Sequence, residues 1–319
     1  MAQGAIAWGE PVLASAITTV IDGRLYYRGC DAVVLARNET FEGVARLLRG
    51  GGAPLQSRLR PAPAGGSTMR ARAFAVLAGR AASDPPARGR EPEALADEAA
   101  TLLDSLTDAV TGVVESGAIH DRLGRAWNCG IQGRDLLRRA LVLLADHELN
   151  ASTFAARVAA STGASLTAAA LAGLSTLSGP LHGGVAGRLM ALAAEAGRLD
   201  GREAVAARLV HWASTSGFGH HLYPGGDPRA RALLEGLAPF APLEPLGAVM
   251  EAAAGEHPNA DFALVALAEA LALPDDAPFA LFAIARCAGW TAHALEQLAT
   301  GALIRPRARY VGPPPDPDA

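Results

Sequence analysis

Aromatic side chains make up only 5% of this 319-residue chain, and cysteine occurs three times. Cys30, Cys129 and Cys287 are far apart, odd in number and without C-x-x-C spacing. That argues against a disulfide framework and for free thiols in a reducing compartment. Charge of one sign is also lacking: the net charge is -4, the signs are interspersed, and no long basic block exists to track a phosphate backbone, so nucleic acid is not an expected partner. Met1 to Glu10 has neither the basic start nor the apolar core of a secretory signal, and a cytoplasmic location is the expectation. One stretch, Val158 to Gly184, is free of charge and long enough to cross a bilayer. It is built from Ala, Ser, Thr and Gly, without an aromatic belt or basic flank, so it reads as a buried central helix whose small residues permit close packing, not as a membrane span.

What is present is a large apolar fraction, half of all residues, enough for a substantial core. Between Ala16 and Tyr27 apolar and polar residues alternate around Asp22-Gly23, a dipeptide suited to a tight hairpin turn. Elsewhere helical spacing dominates. Leu95, Ala99, Leu102, Leu106, Val110 and Val113 share one face, and Val205, Leu209 and Trp212 repeat the pattern. Phe262 to Leu271 and Phe279 to Leu298 give two apolar helices separated by Pro274 and Pro278, with Gly301 as a stop. Gly51 to Arg90, rich in Gly, Pro and Arg, reads as loop and short helix, and Pro313 to Ala319 as a disordered tail. The fold class is mainly α with a small N-terminal β-hairpin.

Three histidine segments stand at breaks between helices: Asp146-His147-Glu148, Gly179-Pro180-Leu181-His182-Gly183-Gly184, and Gly217-Phe218-Gly219-His220-His221. Glycines beside His182 and His220 allow a ligand or backbone to approach each imidazole closely. A helix cap or a satisfied loop histidine is the ordinary alternative for each taken alone. A metal site is not expected, because His147 and Glu148 are adjacent, so that on a helix they would point roughly 100° apart, and no second His follows at i+4. Arg229, Arg286 and Arg305 lie beside apolar surroundings, and Arg286 interrupts a run of Phe, Ala, Leu and Ile. A buried guanidinium needs an acceptor, either an internal carboxylate or an anionic ligand. Asp261 begins an apolar helix, where capping alone would account for it.

Taken in order, these segments resemble the citrate synthase family, including its methylcitrate synthase branch. The likeness runs from Ile21-Asp22-Gly23-Arg24-Leu25-Tyr26-Tyr27-Arg28-Gly29 through Asp146-His147-Glu148-Leu149-Asn150, Gly179-Pro180-Leu181-His182-Gly183-Gly184, Gly217-Phe218-Gly219-His220 and Asp227-Pro228-Arg229. It continues through Asn259-Ala260-Asp261-Phe262 and Ala288-Gly289-Trp290 to Arg305-Pro306-Arg307. The resemblance implies a two-domain helical fold: a large domain from residues 1–186, a small one from 187–288, and a C-terminal helix and tail, 289–319, returning to the first. It implies condensation of acetyl-CoA with oxaloacetate and hydrolysis of the thioester, with no cofactor beyond the acyl-CoA substrate. Asp261 would be the base, His182 the donor to the thioester oxygen and His220 the donor to the ketone, while His147, Arg229, Arg286 and Arg305 would hold the carboxylates. Arg305 would come from the other subunit of a homodimer.

The chain departs from the family pattern in two places. His221-Leu222-Tyr223-Pro224 follows the glycine-histidine motif, so a phosphate-contacting cation is missing at Pro224, worth about 1.5–3 kcal/mol of CoA binding if nothing replaces it. The stretch between Gly52 and Leu141 also looks abbreviated. A propionyl-CoA-using enzyme and a non-catalytic sensor of acyl-CoA or oxaloacetate are the alternatives. One methylene separates the two enzymes, a difference of about 1–3 kcal/mol in an apolar pocket.

Overall fold

The hairpin forms where Asp22-Gly23 places it. In the computed structural model, which describes residues 13–52, 65–184, 189, 217–237 and 257–314, strand β1 (Thr18–Ile21) pairs antiparallel with β2 (Arg24–Tyr27), setting Ile21 opposite Arg24. Asp22 and Gly23 both have positive φ, 51° and 70°, as a two-residue turn matching the strand twist requires. A two-residue strand β3 (Cys30–Asp31) adds to β2.

The remaining regular structure among the described residues is helical. In chain order the helices are α1 (Ala32–Asn38), α2 (Phe41–Leu48), α3 (Met69–Ser83), α4 (Pro92–Thr111), α5 (Ile119–Ala126) and α6 (Ile131–Leu143). They continue as α7 (Ala151–Ser161), α8 (Leu166–Leu177), α9 (Pro228–Leu237), α10 (Ala260–Ala270) and α11 (Ala277–Thr300). Their starts are written locally: Asp31, Thr40, Thr68, Asn150, Ser165 and Asn259 each accept a hydrogen bond from a first-turn N–H. Gly301 ends α11 in the left-handed conformation, as its place in the sequence suggested.

Four readings need correction. The Gly51–Arg90 stretch holds a 15-residue helix, α3, because Met69, Ala73 and Leu77 recur every four residues and bury one stripe that the surrounding Arg and Gly obscure. The charge-free run after Val158 is two helices: α7 stops at Ser161, Gly163 turns at φ 83°, and Ser165 caps α8. Val113 lies past the end of α4 and is half exposed, whereas Leu95, Ala99, Leu102, Leu106 and Val110 are buried as a stripe. The cap of α10 is Asn259, so Asp261 is not explained by capping. Val205, Leu209 and Trp212, the boundary near 187 and most of the tail lie outside the described residues. No helix among the described residues is long and apolar enough to cross a membrane.

Helix α11 runs through the core, with every residue from Ala277 to Ala294 buried, and packs on α4, α6, α7 and α8. Helices α9 and α10 pack on each other and rest against α6 and α11. Two glycines set the crossings. A Cβ on Gly173 of α8 would lie 2.6 Å from the Trp290 ring, and one on Gly289 would lie 2.3 Å from Asp146 Oδ1 and 2.6 Å from the Ala145 carbonyl oxygen. The expected effect of Gly289→Ala is therefore a loss of about 1–3 kcal/mol from overpacking. This loss exceeds the gain of about 0.5–1 kcal/mol that Ala brings to a helix interior. Urea unfolding of the two proteins measures the difference, and a stabilised variant would contradict the close contact.

Candidate active site

The site begins at the C-terminal end of α6, which finishes inside the protein. Its last carbonyls have no helical partner and must find donors elsewhere. Tyr27 donates its hydroxyl toward Val142 O and Leu143 O, both at 3.1 Å; Arg286 Nε donates to Leu144 O at 3.0 Å; and the Gly289 N–H donates to Ala145 O at 3.0 Å. The next residue, Asp146, is fully buried. Its Oδ2 lies 3.2 Å from His293 Nε2, and Arg157 Nη1 donates to His293 Nδ1 at 3.1 Å. Because the guanidinium can only donate, His293 carries its proton on Nε2 and gives it to Asp146. Burial opposes the charge on Asp146, but His293 and Arg286 outweigh it and hold the carboxyl below the ordinary range.

His147 follows, buried, with Nε2 2.8 Å from the Tyr223 hydroxyl. Burial, reinforced by Arg229 and Arg286, drives its pKa well below that of a free imidazole, so it is neutral at pH 7. Arg286 has its guanidinium 4.9 Å from the centre of the Phe282 ring, and burial lowers its pKa to about 10.

His182 sits in the turn after α8. The turn needs bare glycine for its own backbone: a Cβ on Gly184 would lie 2.8 Å from Gly179 O, the atom that also accepts the His182 and Gly184 N–H groups. His182 Nε2 is 2.9 Å from Ser152 Oγ. That oxygen also accepts from Trp290 Nε1 at 3.1 Å and stands 2.7 Å from Asn150 Oδ1, itself fixed by the N–H groups of Ser152 and Thr153. Ser152 has one proton for two acceptors. Turned to Asn150, it leaves His182 protonated on Nε2; turned to His182, it places the imidazole proton on Nδ1. Burial, with the Arg286 cation, lowers the His182 pKa to about 4, so the ring is a neutral donor.

The third histidine comes from a loop tied to the start of α10. Gly219 N donates to His257 O at 2.8 Å and Asn259 N to Gly217 O at 2.9 Å, which sets Gly217-Phe218-Gly219-His220 alongside His257-Pro258-Asn259-Ala260-Asp261. Positive φ at Gly217 and Gly219, 85° and 70°, makes the bend. His220 Nδ1 accepts from the Leu222 N–H at 3.2 Å, so the neutral ring keeps its proton on Nε2. Its pKa is lowered by burial and by Arg229. Arg229 is buried and held bidentately by Asp227, with Nε to Oδ1 at 3.0 Å and Nη2 to Oδ2 at 2.7 Å.

Asp261 lies in the first turn of α10, and its Oδ1 is buried without a hydrogen bond from any described residue. Burial pushes its pKa up to about 6, with Arg229 pulling the other way. The arrangement is a carboxylate poised as a base beside neutral imidazole donors and buried guanidinium groups.

The structure thus brings together His147, His182, His220, Arg229, Arg286 and Asp261. Arg305 stays apart: it is exposed on the irregular segment after Gly301 and makes no hydrogen bond or ion pair with a described residue. Sequence reasoning passed over Ser152, Tyr223, Asp227 and His293. Asp227 had a signal, its i+2 spacing to a buried arginine, whereas the others act through contacts across 30 to 147 positions of chain.

Residues 115–307 match the family model described as "Citrate synthase, C-terminal domain". The chain is 37% identical over 190 residues to citrate synthase 2 of Bacillus subtilis, across 56% of this chain and 51% of that protein. This alignment therefore spans about half of the relative's length. A longer one, 28% identical over 358 residues, covers 98% of the chain and 96% of a 2-methylcitrate synthase from Shewanella oneidensis. In structure the chain is similar to a Thermoplasma acidophilum citrate synthase solved with carboxymethyl coenzyme A and oxaloacetate, with a TM-score of 0.74, 25% identity, and 96% and 95% of the two chains covered.

The raised pKa of Asp261 also has a consequence for stability. A carboxyl that ionises near 6 when folded and near 3.9 when unfolded binds its proton more tightly in the native state, so it costs stability as pH rises through this window. Asp261→Asn is expected to be more stable than the parent by about 1–3 kcal/mol at pH 8, with the gain vanishing toward pH 4. Denaturant midpoints at the two pH values test this, and an equal gain at both would place its origin elsewhere.

Proposed function

The chain belongs to the citrate synthase family, and we propose that it condenses an acyl-CoA with oxaloacetate and hydrolyses the thioester of the product. The observation that carries this reading is Asp261, a carboxylate with a pKa near 6 and a buried oxygen that takes no hydrogen bond from any described residue, close enough to Arg229 and Arg286 to feel both charges.

The α-carbon of an acyl thioester is a very weak acid, so a carboxylate removes its proton only if the developing enolate oxygen is stabilised at the same time. Asp261 takes that proton. His182 donates to the thioester oxygen from Nδ1, with the Ser152 hydroxyl turned from Asn150 to Nε2. The enol carbon attacks the ketone carbon of oxaloacetate, and His220 Nε2–H donates to the ketone oxygen as it becomes a hydroxyl. Water then cleaves the thioester and releases CoA. No cofactor is needed beyond the acyl-CoA itself. His147, Arg229 and Arg286 hold the oxaloacetate carboxylates.

Charge supports a further subunit. Arg229 is already matched by Asp227, and Arg286 feels Asp146, so a dianion entering the cleft finds little spare positive charge among the described residues. Arg305, exposed on the C-terminal segment, supplies it from the other subunit of a homodimer. The small domain spans 187–288 and closes on the large one over the substrates. The protein works in the cytoplasm. Propionyl-CoA is the second donor to consider, because an alignment over 98% of the chain runs to a 2-methylcitrate synthase.

A thiol-release assay with oxaloacetate and either acetyl-CoA or propionyl-CoA tests the reaction and ranks the donors. Asp261→Ala is expected to lower turnover about 10²–10⁴-fold, and kcat/KM of the parent should rise with pH through a midpoint near 6. Silence with both donors would refute the reaction. Arg305→Ala mixed with Asp261→Ala should regain activity in verified mixed dimers, since each dimer then has one site with both residues intact. No recovery would exclude a site shared between subunits.

A further inference from the structure

Tyr223 touches three of the residues that the sequence had marked, yet no pattern in the sequence pointed to it. Its ring is buried, with the ring centre 4.8 Å from that of His220 and 5.6 Å from that of His147, and the Arg229 guanidinium lies 5.6 Å from the Tyr223 centroid. Its hydroxyl is 2.8 Å from His147 Nε2. Among the described residues this is the one hydrogen bond that joins Gly217–Leu237 and α10 to the strands, α1–α8 and α11. Beyond Tyr223 the loop runs Pro224-Gly225-Gly226 and borders an open groove of about 800 Å³ facing the Asp22-Gly23 turn. The hydroxyl therefore supplies a directional tie between the two sides of the site.

We infer that Tyr223 is a positioning residue that latches the His220–Arg229 loop to His147 and selects the His147 tautomer that faces oxaloacetate. A phenol is a far better proton donor than a neutral imidazole, and imidazole nitrogen is the better acceptor, so the O–H donates to Nε2. The imidazole proton then resides on Nδ1, available to a substrate oxygen. Burial raises the Tyr223 pKa, which keeps the phenol protonated for this task. One side chain thereby couples the orientation of His147, on the α6 side of the cleft, to that of His220 and Arg229 on the other. The latch rests on the proposed reaction for its purpose but not for its detection.

Tyr223→Phe keeps the ring and removes only the hydroxyl; Tyr223→Ala removes both. The measurement is the ¹⁵N spectrum of histidine-labelled full-length protein, with His147 assigned by its own substitution, together with calorimetric binding of oxaloacetate and steady-state kinetics. For Tyr223→Phe with a wild-type circular dichroism spectrum, the His147 Nε2 resonance should lose its hydrogen-bonded acceptor position. Oxaloacetate affinity should fall about five- to tenfold, with KM rising more than kcat falls. A Phe variant with unchanged His147 resonances and oxaloacetate affinity, beside an impaired Ala variant, would show that the ring only packs and would overturn the inference. A parent protein inactive in the thiol assay would count against the reaction, while the His147 resonances would still decide the latch.

Discussion

The buried end of α6 is the constraint on which the site depends. Four successive carbonyls, from Val142 to Ala145, arrive in the interior where each would cost about 1–3 kcal/mol if left without a donor. Tyr27 of the hairpin, shared between Val142 and Leu143, together with Arg286 and Gly289 of α11 and the Ala145 N–H that reaches back to Val142, meets that demand. The solution fixes more than the backbone. It spends Arg286 Nε on Leu144 and leaves the outer guanidinium nitrogens for a ligand, and it brings α11 close enough that only glycine fits at 289. It also seats Asp146 against His293, so that His147, the next residue, emerges from a rigid turn. A surface helix end would have been capped by water and would have imposed none of this.

A second constraint is electrostatic. Three imidazoles and two guanidinium groups share one buried region, and protonated histidines there would repel the arginines. Burial and the arginine charges both push the same way, so the imidazoles are neutral and their remaining protons can be traced through fixed partners. Leu222 assigns the His220 proton and Ser152 chooses that of His182. Neutral donors suit the proposed chemistry. A cation at the thioester oxygen would bind the ground-state carbonyl with solvated counter-charge to displace, whereas a neutral imidazole of low pKa is a donor matched to an enol oxygen.

Much of this was legible in the sequence, and the reasons are local ones. Asp22-Gly23 encodes its turn, and Pro274, Pro278 and Gly301 the limits of the last two helices. The three histidines were visible because glycine beside a polar ring is unusual in an Ala- and Leu-rich chain. What stayed hidden is of two kinds. Helix α3 was masked because an Arg- and Gly-rich surface outweighs a stripe of three apolar residues, and the break between α7 and α8 because Thr, Gly, Ala and Ser serve equally in a helix and in a turn. The polar partners were hidden because they are through-space choices: nothing within three residues of His293 or Ser152 announces Asp146 or His182.

The two kinds of constraint meet in Asp261. Its backbone position comes from local chemistry, the Asn259 cap and the pairing of two loops, and the helix N-terminus there favours a charged carboxylate. Its side chain is nevertheless placed where burial outweighs that dipole and the nearby arginines, and the pKa rises to about 6. A solvated aspartate at the same helix start would be a weaker base by about two pKa units, whereas an equally buried one without the arginines would have a higher pKa still. Burial is the larger influence, and Asp227, which grips Arg229 bidentately, also raises the Asp261 pKa, while Arg229 and Arg286 lower it. The Asp227 carboxylate that holds Arg229 therefore tunes the proposed base as well as stabilising the fold.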